Sequence, residues 1–167
     1  MKSKFRKGDI LLISSRCDPF SWLIMLGTHS KISHTTWILN DNYLLESRGS
    51  AISVSPISKY LGRTNKWRYK CKLYRIKKCS KEKIDKAMNY GLSLLKKRSY
   101  RKFIWSLFLI GIGKKKKTSQ LSCSGFVATC LAKVGIKLHP TKNPFFVTPG
   151  DVARSKLLKR IYKKDLK

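Results

Sequence analysis

The chain has 167 residues, a length that suits one domain with a buried core, and its 42% of hydrophobic residues argues against disorder. Lys and Arg number 38 against 8 Asp and Glu, a net charge of +30. The excess is mostly Lys spread along the whole chain, so it predicts attraction to polyanions (nucleic acid, anionic lipid or acidic cell-wall polymers) and says little about chemistry. The five cysteines are odd in number, lack disulfide-framework spacing and contain no C-x-x-C, which excludes the usual zinc patterns and points to a reducing compartment.

Taken in order, the N-terminus has a basic start but an apolar run of only Ile10 to Ile13, too short for a secretory signal. The expected location is therefore the cytoplasm or a virus particle. Gly8-Asp9 is a turn signal and Ile10-Leu11-Leu12-Ile13 reads as a buried strand. Asp18-Pro19 opens a helix that Gly27 ends, with Trp22, Leu23, Met25 and Leu26 as its apolar side, the side that would pack inward.

A strand is predicted from about His34, through Thr35, Thr36, Trp37 and Ile38, and Asn40-Asp41-Asn42 is turn chemistry. Tyr43-Leu44-Leu45-Glu46-Ser47 returns as the second arm of a hairpin. Its loop length decides a functional question. A three-residue loop pairs Leu39 with Tyr43 and Thr36 with Glu46, so Glu46 shares a face with His34 as a diagonal neighbour. A two-residue loop would turn Glu46 to the other face.

Ala51 to Val54 reads as a short strand, and Pro56 to Leu61 as one or two helical turns. Trp67, Tyr69, Cys71 and Leu73 alternate with Arg68, Lys70, Lys72 and Tyr74, the pattern of a half-buried strand with a basic outer face. Ser80 caps a helix running to about Leu95, with Ile84, Ala87, Met88, Gly91, Leu94 and Leu95 as its apolar stripe.

The most apolar stretch runs from Phe103 through Trp105 and Phe108 to Gly113, between basic flanks that include Lys96, Arg98, Lys102 and Lys114 to Lys117. It falls well short of the roughly 20 residues that a membrane helix needs. Two readings stay open: a core segment with solvated flanks, or an interfacial element contacting anionic membrane through Phe103 to Ile112.

Phe126, Val127, Cys130, Leu131 and Val134 then recur at helical spacing, with Gly135 just past the end. Thr148-Pro149-Gly150-Asp151 starts another helix, with Thr148 as cap and with Val152 and Leu157 facing inward. A last strand is expected over Leu158 to Tyr162. The order of elements is that of an α+β fold in a single domain, residues 1–162, followed by a basic tail, 163–167.

Ser122 and Ser124 bracket Cys123 in the first turn of the helix that holds Phe126. The partial positive charge of a helix N-terminus favours a thiolate there. Cys123 is then either a nucleophile or one more core cysteine. A nucleophile needs a base, and the base needs an orienting group. Of the three histidines, His139 lies in a loop, His29 lies in a connection that could line a cleft, and His34 heads a strand that could present it rigidly. Glu46 sits mid-strand after Leu44-Leu45, a costly place for a carboxylate unless it is paired. Cys123, His34 and Glu46 would together form a Cys–His–carboxylate set.

The order of these motifs resembles the circularly permuted branch of the NlpC-type papain-like cysteine hydrolases. The motifs are Gly8-Asp9-Ile10-Leu11-Leu12, then Thr28 with Ser33-His34-Thr35-Thr36-Trp37-Ile38, Leu45-Glu46-Ser47, Ser122-Cys123-Ser124-Gly125-Phe126-Val127 and Thr148-Pro149-Gly150-Asp151. The branch includes YiiX-like bacterial proteins, a poxvirus protein and, more distantly, the lecithin–retinol acyltransferases, and in it the histidine precedes the cysteine. The resemblance covers nearly the whole chain. It departs from the family at Ser124-Gly125, where an acid is frequent, and at Thr35, where a small hydrophobic residue is common.

The resemblance implies a small antiparallel sheet packed against helices, with Cys123 as nucleophile, His34 as base, Glu46 as the orienting carboxylate and Tyr100 lining the cleft. It implies acyl transfer on a peptide, peptidoglycan or lipid amide or ester, with no metal or other cofactor. The charge motivates two further readings: a non-catalytic basic protein binding nucleic acid or anionic membrane, and a lipid acyl hydrolase docked through Trp105 and Phe108.

Overall fold

The computed structural model describes residues 5–15, 19–48, 51–61, 69–95 and 121–162. Ile10 to Ile13 are all buried because β1 (Ile10–Ser14) is an inner strand of a sheet covered on both faces. Six antiparallel strands lie in the order β4-β3-β2-β1-β5-β6. The others are β2 (His34–Ile38), β3 (Tyr43–Arg48), β4 (Ala51–Pro56), β5 (Lys70–Ile76) and β6 (Leu158–Arg160).

Side chains alternate across a strand, so each strand feeds two cores. Ile10, Leu12, Trp37 and Leu45 pack with the helices α2 (Lys81–Ser93) and α3 (Cys123–Ala132). Leu11, Ile13, Ile38, Leu44, Cys71 and Leu73 form the second core with Tyr60 and Tyr69, beneath the 3-10 turn Ile57–Lys59. Asp9 locks the start of β1: it is buried and accepts two 2.7 Å bonds from the Arg75 guanidinium on β5. The last helix, α4 (Pro149–Arg154), begins with the expected cap, Thr148, which forms a capping box with Asp151.

Helix α3 is the most deeply buried helix among the described residues. Eight of its ten residues are buried, including Phe126, Val127, Cys130 and Leu131. Each large side chain so enclosed is worth roughly 1.5–3 kcal/mol relative to exposure. Gly135, at φ 82°, takes the left-handed turn past its end, and Ile136 N–H closes back on Leu131 C=O at 3.0 Å.

Three expectations are corrected. Helix α1 (Pro19–Gly27) does not turn Trp22, Leu23 and Leu26 to the core; they are 56%, 45% and 60% exposed. Tyr74 is not part of a solvated outer face: both faces of the sheet are covered, and it packs against the α2–α3 core. Leu157 is exposed and Leu158 buried in its place, because α4 stops at Arg154 and the helical period stops with it. Tyr100 and the 103–112 stretch lie outside the described residues. Among the described residues, no helix is long and apolar enough to cross a membrane.

Candidate active site

The head of α3 is held from three sides. The Ser122 hydroxyl caps the helix by accepting from Gly125 N–H at 3.0 Å. The Ser124 hydroxyl donates to Val147 C=O at 2.6 Å, and Ser47 on β3 donates to Leu121 C=O at 2.9 Å. Gly125 presses on the turn Pro144–Phe146: a Cβ there would lie 2.6 Å from the Phe145 carbonyl oxygen, so the helix can seat this closely only with glycine. Cys123 is the first residue of this clamped helix and is 6% exposed.

His34 is the first residue of β2, with its side chain 15% exposed. The hairpin that follows meets the condition set by the sequence. Trp37 pairs with Leu45 and Ile38 with Leu44, and Leu39 N–H donates to Tyr43 C=O at 3.0 Å. The three-residue loop is made by Asn40, whose side-chain oxygen accepts from the N–H groups of Asn42 and Tyr43, both at 2.9 Å. Glu46 therefore falls on the His34 face, and His34 Nε2 lies 2.8 Å from Glu46 Oε2. That bond commits Nε2 and leaves Nδ1 for the thiol.

Glu46 is fully buried, yet each of its oxygens has two partners. Oε1 accepts from the Ser55 hydroxyl at 2.7 Å and Lys59 Nζ at 2.6 Å. Oε2 meets His34 and accepts from the Tyr60 hydroxyl at 2.5 Å. Tyr60 in turn accepts from Arg48 at 3.2 Å, and its ring stands 6.0 Å from the imidazole. A carboxylate out of water persists only with partners of this kind.

The charges follow. Burial raises the pKa of Glu46, but the hydrogen bond and charge of His34 and the donors Lys59 and Tyr60 overcome it and hold the carboxyl below its usual range. Burial also disfavours the His34 imidazolium. The charge of Cys123 and hydrogen bonds with Cys123 and Glu46 outweigh this and lift the pKa to about 9. Burial alone would raise the Cys123 thiol; the charge and hydrogen bond of His34 and the backbone N–H groups of Thr35 and Ser124 bring it below its ordinary value. Thiol and imidazole thus favour each other's ions, the arrangement of a thiolate–imidazolium pair. Cys130, in the same helix, is the contrast: burial without a cation pushes its thiol up to about 12.

The structure brings together Cys123, His34 and Glu46. It does not bring in His29, which is exposed beyond α1 at φ 47°, or His139, whose Nδ1 accepts from Lys142 N–H at 3.1 Å. Ser55, Lys59 and Tyr60 went unread in the sequence. A carboxylate placed mid-strand demands donors, and the polar residues just after it in the meander are the nearest in sequence that can supply them. A depression lined by Asp41, Tyr43, Ile57 and Leu61 sits at the loop end of the hairpin, the opposite end of β2 from His34.

No family model matches the chain, and no curated protein matches it in sequence. Among solved structures it is similar to the crystal structure of metalloprotein YiiX from Escherichia coli O157:H7. The TM-score is 0.69 at 21% identity, over 97% of this chain and 98% of that one. The two share a fold. YiiX is described as a metalloprotein, which raises the question of whether the donor set here fits a metal. Among the described residues no three His, Cys, Asp or Glu side chains are grouped to hold one. At the Cys123–His34–Glu46 site, both Glu46 oxygens and His34 Nε2 are already taken by protein partners. These residues do not fit a metal.

Proposed function

We propose that this chain is a cysteine hydrolase with a circularly permuted papain-like fold of the NlpC type. It would act through an acyl-thioester on an amide or ester bond of a peptide, peptidoglycan or lipid. The observation that carries the reading is the coupling of Cys123, at a helix head, to a His34 whose other nitrogen is held by the buried Glu46. His34 precedes Cys123 in the chain, as in the permuted branch, and the fold shared with YiiX supports the same reading.

The Cys123 thiolate attacks the carbonyl carbon, and the oxyanion forms beside the Cys123 backbone N–H at the helix start. The His34 imidazolium gives its proton to the leaving amine or alcohol, and the tetrahedral intermediate collapses to a thioester. Neutral His34 then takes a proton from water as the water attacks the thioester. Collapse releases the acid and restores the thiolate–imidazolium pair. Glu46 keeps the ring oriented and stabilises its cation throughout.

An activated ester or amide probe tests this. Wild-type protein labels on Cys123, whereas Cys123→Ala and His34→Ala do not; labelling of Cys123→Ala at the wild-type level would overturn the proposal. The net charge of +30 favours a second reading, a non-catalytic basic protein that binds nucleic acid on the same fold. Steeply salt-dependent DNA binding by a protein whose Cys123 is unreactive would select it.

A further inference from the structure

Helix α1 has no charged residue in its nine positions, yet it shows Trp22, Leu23 and Leu26 to solvent. Leu26 is a helical neighbour of both Trp22 (i, i+4) and Leu23 (i, i+3), so the three large apolar side chains form one patch. A soluble surface rarely carries such a face without an occupant. The helix joins β2 through Thr28 to Ser33, so the face stands on the segment that leads into His34. His29 and Lys31, both exposed, follow the helix.

We infer that α1 is an interfacial anchor that seats Trp22, Leu23 and Leu26 in the surface of an anionic lipid bilayer. Charge selects this occupant. A second copy, also at +30, would be repelled. Nucleic acid asks for basic donors at the contact, and α1 offers none. An anionic bilayer accepts both features at once, since apolar side chains enter the headgroup region while the net charge of +30 draws the protein to the lipid charge. Trp22 suits that boundary, with an apolar ring and a polar N–H. Nine residues are too few to span a bilayer, so the helix lies along the surface.

The test is co-sedimentation of full-length protein with vesicles of mixed phosphatidylserine and phosphatidylcholine, and with phosphatidylcholine alone. All proteins carry Cys123→Ala, so binding is scored apart from catalysis. The expected result is binding to the anionic vesicles that falls at least roughly tenfold in Leu23→Asp/Leu26→Asp. It should survive Val54→Asp, which alters an apolar residue of similar exposure on edge strand β4. Absence of vesicle binding, or binding that the double substitution leaves unchanged, would overturn the inference. So would a large drop in the melting temperature of the double variant, which would mean that this chain's own residues cover the face. Concentration-dependent dimerisation abolished by the same substitutions would assign the face to a second copy and overturn it as well.

Discussion

Helices α1 and α3 are nearly equal in length, nine and ten residues, and neither contains Asp, Glu, Lys or Arg. Their fates are opposite. Nearly all of α3 lies inside, wedged between the sheet, α2 and the turn Pro144–Phe146, while α1 turns Trp22, Leu23 and Leu26 outward. Apolar composition therefore does not place a helix; what the rest of the chain puts over it does. In α3 the burial serves a purpose at one end. A helix held immobile along its length can keep Cys123 in register with His34, which belongs to a strand. Helix α1 has no such task among the described residues, and its free face is available for contact.

The largest expected effect lies at the head of α3. Removing the nucleophile or base of a coupled unit costs orders of magnitude in rate. In a single-turnover assay with a soluble ester, Cys123→Ala and His34→Gln should lose at least about a thousandfold, while Leu23→Asp/Leu26→Asp in α1 should keep the wild-type rate. Equal losses at both helices would dissolve the contrast. Iodoacetamide kinetics sharpen it further. In wild-type protein the Cys123 reaction should stay fast below the ordinary thiol pKa, because the imidazolium persists up to about pH 9. In His34→Gln the inflection should move up, since only the backbone N–H groups of Thr35 and Ser124 then oppose burial of the thiol.

Core truncation comes next. Phe126→Ala, which opens space among α2, α3 and the sheet, should cost about 3–5 kcal/mol in urea denaturation. Glu46→Gln should cost about 3 kcal/mol near pH 7, because it removes the charge that Lys59 and His34 answer. The sign of its pH dependence follows from the lowered carboxyl pKa. The stabilisation is present above the ordinary carboxylate value and is lost as pH falls through the folded one, so wild type and variant should converge in acid. At the small end, Leu26→Ala in α1 should change stability by less than about 0.5 kcal/mol by the same denaturation, because the side chain is mostly in water already. A cost like that of Phe126→Ala would show α1 to be a second buried helix.

Much of the site was legible because its determinants are local. Ser122, Ser80 and Thr148 cap the helices that follow them, each by a bond to an N–H three residues on. The face of Glu46 came down to a loop count, and Asn40 enforces the three-residue loop with its own side chain. The partners of Glu46 were not legible in this way. Ser55, Lys59 and Tyr60 reach it through the register of β4 against β3 and the turn beyond, nine to fourteen residues away.

By itself, then, the sequence determined most of the strands and helices, the caps, and the condition on the hairpin loop under which His34 and Glu46 share a face. Each of these depends on spacing within about a dozen residues, which the chain carries wherever it folds. Tertiary structure alone decided that Cys123 meets His34 across 89 positions of sequence, that Glu46 is buried as an anion among four partners, and that no described residue covers the apolar face of α1. Periodicity says which side chains share a face; only the packed neighbours say whether that face meets protein or water.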